Sequence, residues 1–195
     1  MTKRSVPGVF CVESPWAPEL DDASSVRPLL ELLAGQGAIR FVYRDAATVP
    51  ELEHYLTKWA QKANAGFTFA YVGCHGVPGA IELSGEKQSY TLDRMSHLLA
   101  GKLAGRTMYF GSCYTLRIDE GRAREFMRRT GADAVCGYTK YVDWLESAAF
   151  DINLFDYLTC YQRTADRFRR LADDHATTVD RLGFRAMWRS GEIWD

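Results

Sequence analysis

Two short stretches hold the residue types that can do chemistry. Residues 71–79 read Tyr-Val-Gly-Cys-His-Gly-Val-Pro-Gly, and residues 109–116 read Tyr-Phe-Gly-Ser-Cys-Tyr-Thr-Leu. Each follows an apolar, β-rich run and ends in small residues around one reactive side chain. A cysteine and a histidine so placed suit nucleophilic acyl transfer. Cys113 would attack a carbonyl, and His75 would move the proton. Gly76 lacks a side chain, so its N–H can approach a reacting carbonyl closely. With the N–H of Cys113 it forms the expected oxyanion hole, one of the larger contributions to acyl-transfer catalysis. A helix following the Cys113 loop is expected to favour a thiolate through its positive end.

Rivals to this pair are weaker. Cys74 touches His75 in sequence, but adjacent residues of an extended chain point to opposite sides. Cys74 is expected to pack under a helix. Ser112 alternates with Cys113 in the same way, and no Gly-x-Ser-x-Gly elbow occurs. A metal site built on Cys74, His75 and Cys113 lacks a fourth ligand at any customary spacing, so neither metal nor cofactor is expected. A bland reading stays open beside the catalytic one. Cysteine is often only a small buried hydrophobe, and a lone histidine is often a surface residue. The conjunction of both motifs favours chemistry, whereas His54, His97 and His175 sit in plain helical patterns.

The elements that must position the pair follow from periodicity. Short apolar runs predict five strands, at Gly8–Glu13, 39–43, 67–72, Thr107–Phe110 and Ala134–Tyr138. Helical spacing predicts a helix after Ser24 or Ser25, carried by Val26, Leu29, Leu30, Leu32 and Leu33 and ended by Gly35 and Gly37. A second starts at Thr48, with Pro50 and Glu51 in its first turn, and stops near Asn64. Further helices are expected over 92–103, 119–130 and 145–161, and a hairpin over 80–84 and 88–92. The last thirty residues read as helical, with a break near Gly183. Strands alternating with helices predict an α/β fold, a mainly parallel doubly wound sheet with helices on both faces. The chain reads as a single domain over 1–195, with a core at about 8–161 and a C-terminal helical segment over 162–195. Ligands bind such sheets outside the carboxyl ends of the strands. If the strands ending in His75 and Cys113 are neighbours, those ends lie roughly 5 Å apart.

Composition narrows the classes. The chain has 195 residues, a net charge of −1 and an apolar content of 47%. That content suffices for a core, and the charge gives no whole-chain pull toward nucleic acid or an acidic membrane. No apolar run approaches the ~20 residues of a membrane helix, and the N-terminal run is too broken for a signal peptide. Five scattered cysteines without a CxxC argue against a disulfide framework. A cytoplasmic location, with neither membrane nor direct nucleic-acid binding, is the expectation. The arginines of residues 163–189 alternate with acids, which suits a solvated helix face. A nucleotide-binding domain would need a glycine-rich phosphate loop after the first strand, and none is present.

Residues 69–76 (Phe-Ala-Tyr-Val-Gly-Cys-His-Gly) followed by residues 108–113 (Met-Tyr-Phe-Gly-Ser-Cys) resemble the caspase-like cysteine peptidases of the caspase–hemoglobinase fold. The likeness is greatest to the CHAT and metacaspase-type domains. Residues 135–143, followed by Ala148, Ala149, Phe150, Phe155 and Leu158, are similar to the CHAT pattern of a strand, a loop aspartate and a helix. The resemblance covers residues 8–161. It implies a caspase-like fold and a cysteine endopeptidase with catalytic His75 and Cys113. It also implies a protein or peptide substrate, a bacterial defence or programmed-cleavage setting, and activation by a partner protein or effector.

The likeness has departures. Gly111 stands where caspases carry glutamine and metacaspases an acid, so the caspase preference for aspartate does not carry over. In this fold the first specificity pocket is formed by positions that match Glu13, Gly111 and residues 138–143. Two acids there, Glu13 and Asp143, imply a preference for a basic residue before the scissile bond, although Lys140 argues the other way. Asp143 can equally be a cap of the next helix. The alternative function is a catalytically inactive caspase-like module whose cleft binds a partner.

Overall fold

The apolar runs near residues 8–13, 67–73, 107–110 and 134–138 are continuous rather than alternating, as strands covered on both faces require. A computed structural model of the chain describes residues 6–161 and 163–193. The N-terminal reading over residues 1–5, residue 162, and the end of the expected domain at 194–195 lie outside the described residues. All four runs are strands with most residues buried. In chain order the strands are β1 (Gly8–Glu13), β2 (Arg40–Asp45), β3 (Phe67–Gly73), β4 (His75–Val77), β5 (Ala80–Glu82), β6 (Tyr90–Thr91), β7 (Thr107–Phe110), β8 (Ala134–Tyr138), β9 (Phe184–Trp188) and β10 (Gly191–Ile193). The helices are α1 (Arg27–Gly35), α2 (Val49–Trp59), α3 (Leu92–Leu98), α4 (Glu120–Thr130), α5 (Trp144–Cys160), α6 (Thr164–Asp174) and α7 (Ala176–Leu182).

The main sheet runs β10-β9-β8-β7-β3-β1-β2. The pairs joining β2, β1, β3, β7 and β8 are all parallel. This is the expected mainly parallel α/β sheet, with the β3 and β7 strands side by side. Each strand splits its side chains between two cores. Phe10, Val12, Ala70, Val72, Met108 and Phe110 face α2, α3 and α4. Val9, Cys11, Phe69, Tyr71, Tyr109 and Cys136 face α1, α5, α6 and α7. Strand alternation makes this division, and it gives both faces of the sheet a helical cover.

Local signals explain the helix ends. Thr48 and Glu51 form a capping box at the start of α2, with the Thr48 N–H donating to the Glu51 carboxylate at 3.0 Å. Such a cap contributes about 0.5–2 kcal/mol. Asp119 caps α4 through the Arg122 N–H at 2.9 Å, and Gly131 closes it in the left-handed conformation (φ 75°). Other boundaries differ from expectation. α1 takes Val26 as its cap, although the Ser25 hydroxyl accepts from the Arg27 N–H at 3.0 Å. α2 stops at Trp59 and is followed by a separate 3-10 turn, Lys62–Asn64. α3 stops at Leu98, short of the expected 103.

Two corrections concern topology. The C-terminal segment is not helical throughout. After α6, helix α7 ends at Gly183 (φ 60°), and the chain then returns as β9, antiparallel to β8, and β10, antiparallel to β9. Phe184, Ala186 and Trp188 alternate inward between Arg185 and Met187, a strand period hidden among the arginines. These C-terminal elements extend the core past the expected limit at 161. The expected hairpin is also part of something larger, a three-stranded sheet β4-β5-β6 whose first strand begins at His75. Among the described residues, no helix is long and apolar enough to cross a membrane.

Candidate active site

Strand order brings the two motifs together. The order reverses at β1, which has β2 on one side and β3 on the other, and a crevice opens there outside the carboxyl ends. In the parallel register of β3 and β7, Val72 lies opposite Phe110. Carried beyond the last pair, this register sets Cys74 against Ser112 and His75 against Cys113. The inner pair is in contact, with Cys74 Sγ 3.4 Å from Ser112 Oγ. The outer pair, His75 and Cys113, lines one cavity of about 360 Å³.

The four residues divide into two inert and two available groups. Cys74 forms part of the cavity wall but is only 1% exposed. Its burial pushes the thiol up to about 12, so it holds no thiolate at neutral pH. Ser112 is buried, with its hydroxyl turned to Cys74 and to the Val72 carbonyl. Cys113 is half-buried and His75 is exposed. Ser112 is therefore turned from the cleft, and Cys74 reaches its wall only as a buried thiol bonded to Ser112.

His75 is oriented by a main-chain group that no sequence pattern marks. Its Nε2 lies 2.7 Å from the main-chain carbonyl oxygen of Trp16. A carbonyl oxygen can only accept, so Nε2 carries a proton, and the lone pair of a neutral ring lies on Nδ1. The base is thus held in one tautomer by a third group, the arrangement that nucleophile–base pairs use. The Trp16 ring also packs edge-on against the His75 ring, with centroids 5.4 Å apart. The only sequence hint was that Trp16 follows the carboxyl end of β1.

The Cys113 loop is shaped by close approaches. The thiol sits against the Val142 peptide, 3.4 Å from its N–H nitrogen and 3.8 Å from its carbonyl oxygen. Tyr114, the next residue, has φ 61°, a left-handed conformation unusual for a residue with a side chain. Its N–H donates to the Lys140 carbonyl at 3.2 Å, which holds the turn against the loop after β8. Among the described residues, the Cys113 N–H donates to no protein acceptor, as an oxyanion donor requires. Gly76 has a second reason to be glycine. A Cβ there would stand 2.4 Å from both the Cys113 carbonyl oxygen and Thr115 Oγ1. β4 can lie against the Cys113 turn only without that atom. The expected helix end is not at the thiol. α4 begins at Glu120, well past Cys113, and Asp119 occupies its N-terminus.

The expected pocket residues separate. Gly111 lines the cavity, and a Cβ there would meet the Tyr71 ring at 2.2 Å. Glycine thus lets Tyr71 form the floor. Residues 138–143 contribute Tyr141 and Val142 to the lining. Glu13 does not line the cavity, and its carboxylate is already occupied. It accepts from the Trp16 indole (2.5 Å), the Val26 N–H (2.8 Å), and the Ser25 and Tyr43 hydroxyls (2.6 Å each). It is 2% exposed and fixes the loop that carries the Trp16 carbonyl. Asp143 does not line the cavity either. It caps α5, accepting from the Leu145 and Glu146 N–H groups at 2.9 and 3.1 Å. Lys140 turns to the Asp180 carbonyl at the end of α7. No acid is left to greet a basic substrate residue.

Beneath the floor lies a buried polar cluster. Asp151 is 1% exposed and accepts hydrogen bonds from the hydroxyls of Tyr71 (2.5 Å), Tyr138 (3.1 Å) and Tyr109. Burial raises its carboxyl and the three tyrosine donors pull it back, leaving it pushed up to about 6 from an ordinary 3.8. No sequence signal marks this aspartate, which sits on the buried face of α5 among Phe150, Leu154 and Phe155.

Fold and site together define an α/β protein with a cysteine and a histidine sharing a cleft at the carboxyl edge of a parallel sheet. Residues 7–188 match the model of the Family of unknown function (DUF6642), and the chain belongs to that family. No curated protein matches it.

Proposed function

We propose that the protein is a cysteine endopeptidase in which Cys113 is the nucleophile and His75 the general base and acid. One observation carries this reading. The half-buried thiol of Cys113 shares a cavity with a histidine whose tautomer the Trp16 carbonyl sets. In the proposed reaction His75 takes the thiol proton and sulfur attacks the substrate carbonyl carbon. The carbonyl oxygen gathers charge beside the N–H of Cys113, with Gly76 as the expected second donor. The C–N bond then breaks, His75 protonates the departing amine, and the acyl group stays on sulfur as a thioester. Water, deprotonated by His75, hydrolyses the thioester and frees Cys113.

The resemblance to caspase-like peptidases supports a protein or peptide substrate and control by an activating partner or effector in a defence or programmed-cleavage setting. Among the described residues, the thiols of Cys11, Cys74, Cys113 and Cys136 form no disulfide, which suits a cytoplasmic protein. The test is cleavage of a peptide library by wild type, Cys113→Ala and His75→Ala. Loss of cleavage in both variants is expected, and cleavage persisting in Cys113→Ala defeats the proposal.

The second reading, an inactive binding module, draws on the same cavity. Its size lies within the range of ordinary ligand pockets, roughly 300–1,000 Å³. Wild type that never cleaves, together with a Cys113→Ala variant that binds its partner normally, would establish that reading.

A further inference from the structure

The cavity beside Cys113 is mainly apolar, and its two lining hydroxyls are already engaged, Ser25 donating to Glu13 and Ser147 to the Trp144 carbonyl. Its walls include Val26 and Leu29 before and within α1, Tyr71 on β3, Val142 on the loop after β8, and Trp144 and Ala148 on α5. No carboxylate, lysine or arginine is among its lining residues. Tyr71 presents only its ring, because its hydroxyl is taken by the buried Asp151. The acids expected at the pocket, Glu13 and Asp143, are consumed by their own donors, and Glu146, next to the lining Ser147, is paired with Arg181 at 2.6 Å. A lysine or arginine placed here would lose water and meet no counter-charge, and a buried charge without a partner is strongly disfavoured. An aspartate would meet no cation. At the mouth, Trp16 and Trp144 meet edge-on at 4.8 Å, and Tyr141 stands 72% exposed. Such rings favour edge and offset contacts with another ring.

We propose that this cavity selects a large apolar residue, phenylalanine or leucine in class, on the acyl side of the bond attacked by Cys113. The proposal rests on the cysteine-peptidase reading and replaces the basic preference that Glu13 and Asp143 suggested. Glycine at 111 is part of the device, since any side chain there would displace the Tyr71 ring from the floor.

The experiment uses the full chain carrying Cys160→Ser, which removes the exposed thiol of Cys160. Peptidyl acyloxymethyl ketones with Phe, Leu, Lys or Asp at the acyl position are compared by their labelling rate at Cys113. Phe and Leu probes should react at least roughly tenfold faster than Lys and Asp probes, the scale of one well-filled apolar pocket. Ala148→Asp, which sets a carboxylate on the wall, should shift the preference toward Lys by a similar factor. Lys or Asp probes reacting as fast as Phe or Leu with the Ala148 protein overturn the proposal.

If no probe reacts faster than chloroacetamide does, the peptidase reading fails and the pocket is judged by binding alone. Calorimetry on Cys113→Ala with blocked Phe and Lys peptides then decides it. Tighter Phe binding supports the apolar pocket. Equal binding, tighter Lys binding, or no binding of either overturns it.

Discussion

The imidazole of His75 donates through Nε2 to the main-chain oxygen of Trp16, 2.7 Å away. The orienting group is backbone, so no side-chain replacement can delete it. It can only be displaced, and what holds it is Glu13. Replacing Glu13 by glutamine should therefore act at a distance on His75. Glutamine keeps one oxygen and turns the other into an amide NH2, so the two donors that shared that oxygen, Trp16 with Val26 or Ser25 with Tyr43, then face a donor. The expected cost is about 1–3 kcal/mol in chemical denaturation, as for a spoiled buried hydrogen bond. Probe labelling of Cys113 should slow, and its pH profile should change because the tautomer is no longer fixed. An unchanged pH profile would separate Glu13 from the base.

The thiols should differ sharply in reactivity. Cys74 is buried with its thiol pushed up to about 12, whereas Cys113 opens on the cavity. Iodoacetamide should label Cys113 far faster than Cys74 in folded Cys160→Ser protein, because only a thiolate attacks. Peptide mapping by mass spectrometry reads the ratio, and equal labelling counts heavily against the nucleophile. Cys74→Ser should keep most activity. Cys113→Ala and His75→Ala should not be additive, since both remove the same catalytic unit.

Gly76→Ala should lower turnover by about 10²–10³, the scale of losing one oxyanion donor. The cause here is positional, because the new Cβ would press on the Cys113 carbonyl and Thr115. A crystal structure of the variant should show the turn after Cys113 displaced. Full turnover with the turn in place would refute this account.

Tyr114→Gly should relieve the left-handed strain beside Cys113 (φ 61°). A left-handed residue with a side chain costs about 1–2 kcal/mol, which glycine avoids. The unfolded chain gains freedom in return, so net stability should move by less than about 1 kcal/mol. Turnover should fall, because the strain keeps the thiol aimed at the cleft. A variant as active as wild type would show that the strain has no catalytic use.

Asp151 predicts a stability effect of definite sign. Its carboxyl is pushed up to about 6 in the folded protein, mainly by burial, against about 3.9 unfolded. The folded state therefore holds its proton to higher pH than the unfolded state. Its stabilising contribution is complete below about pH 4 and is lost as the pH rises through about 6. The full shift corresponds to roughly 3 kcal/mol. Denaturation of wild type and Asp151→Asn across this window should show wild type losing ground to the variant as the pH rises. A difference that stays flat with pH would contradict the buried, late-ionising carboxyl.

Much of the design is written locally. β1, β7 and β8 begin and end where their apolar runs do, and Thr48 with Glu51, Asp119 and Gly131 mark helix ends by chemistry that needs no distant partner. That both motifs end parallel strands at one sheet edge follows from the alternation of strands and helices, but that the two strands are neighbours is set by the strand order of the folded sheet. What acts across the chain is decided only in three dimensions. The acid at Glu13 reads as a pocket charge in sequence and becomes a loop anchor because Ser25, Val26 and Tyr43 converge on it from other elements. Asp143 keeps its local role as a helix cap, so its charge never reaches the cleft. The carbonyl of Trp16 is invisible in sequence, since every residue has one and only the fold selects which meets His75. β9 is hidden for a related reason. The arginines around it, Arg181, Arg185 and Arg189, speak for a solvated helix, and only its pairing with β8 sets Phe184, Ala186 and Trp188 inward. Helix ends are legible because their hydrogen bonds close within a few residues and strands because their apolar runs are continuous, whereas strand order and the pocket depend on partners that lie far along the chain.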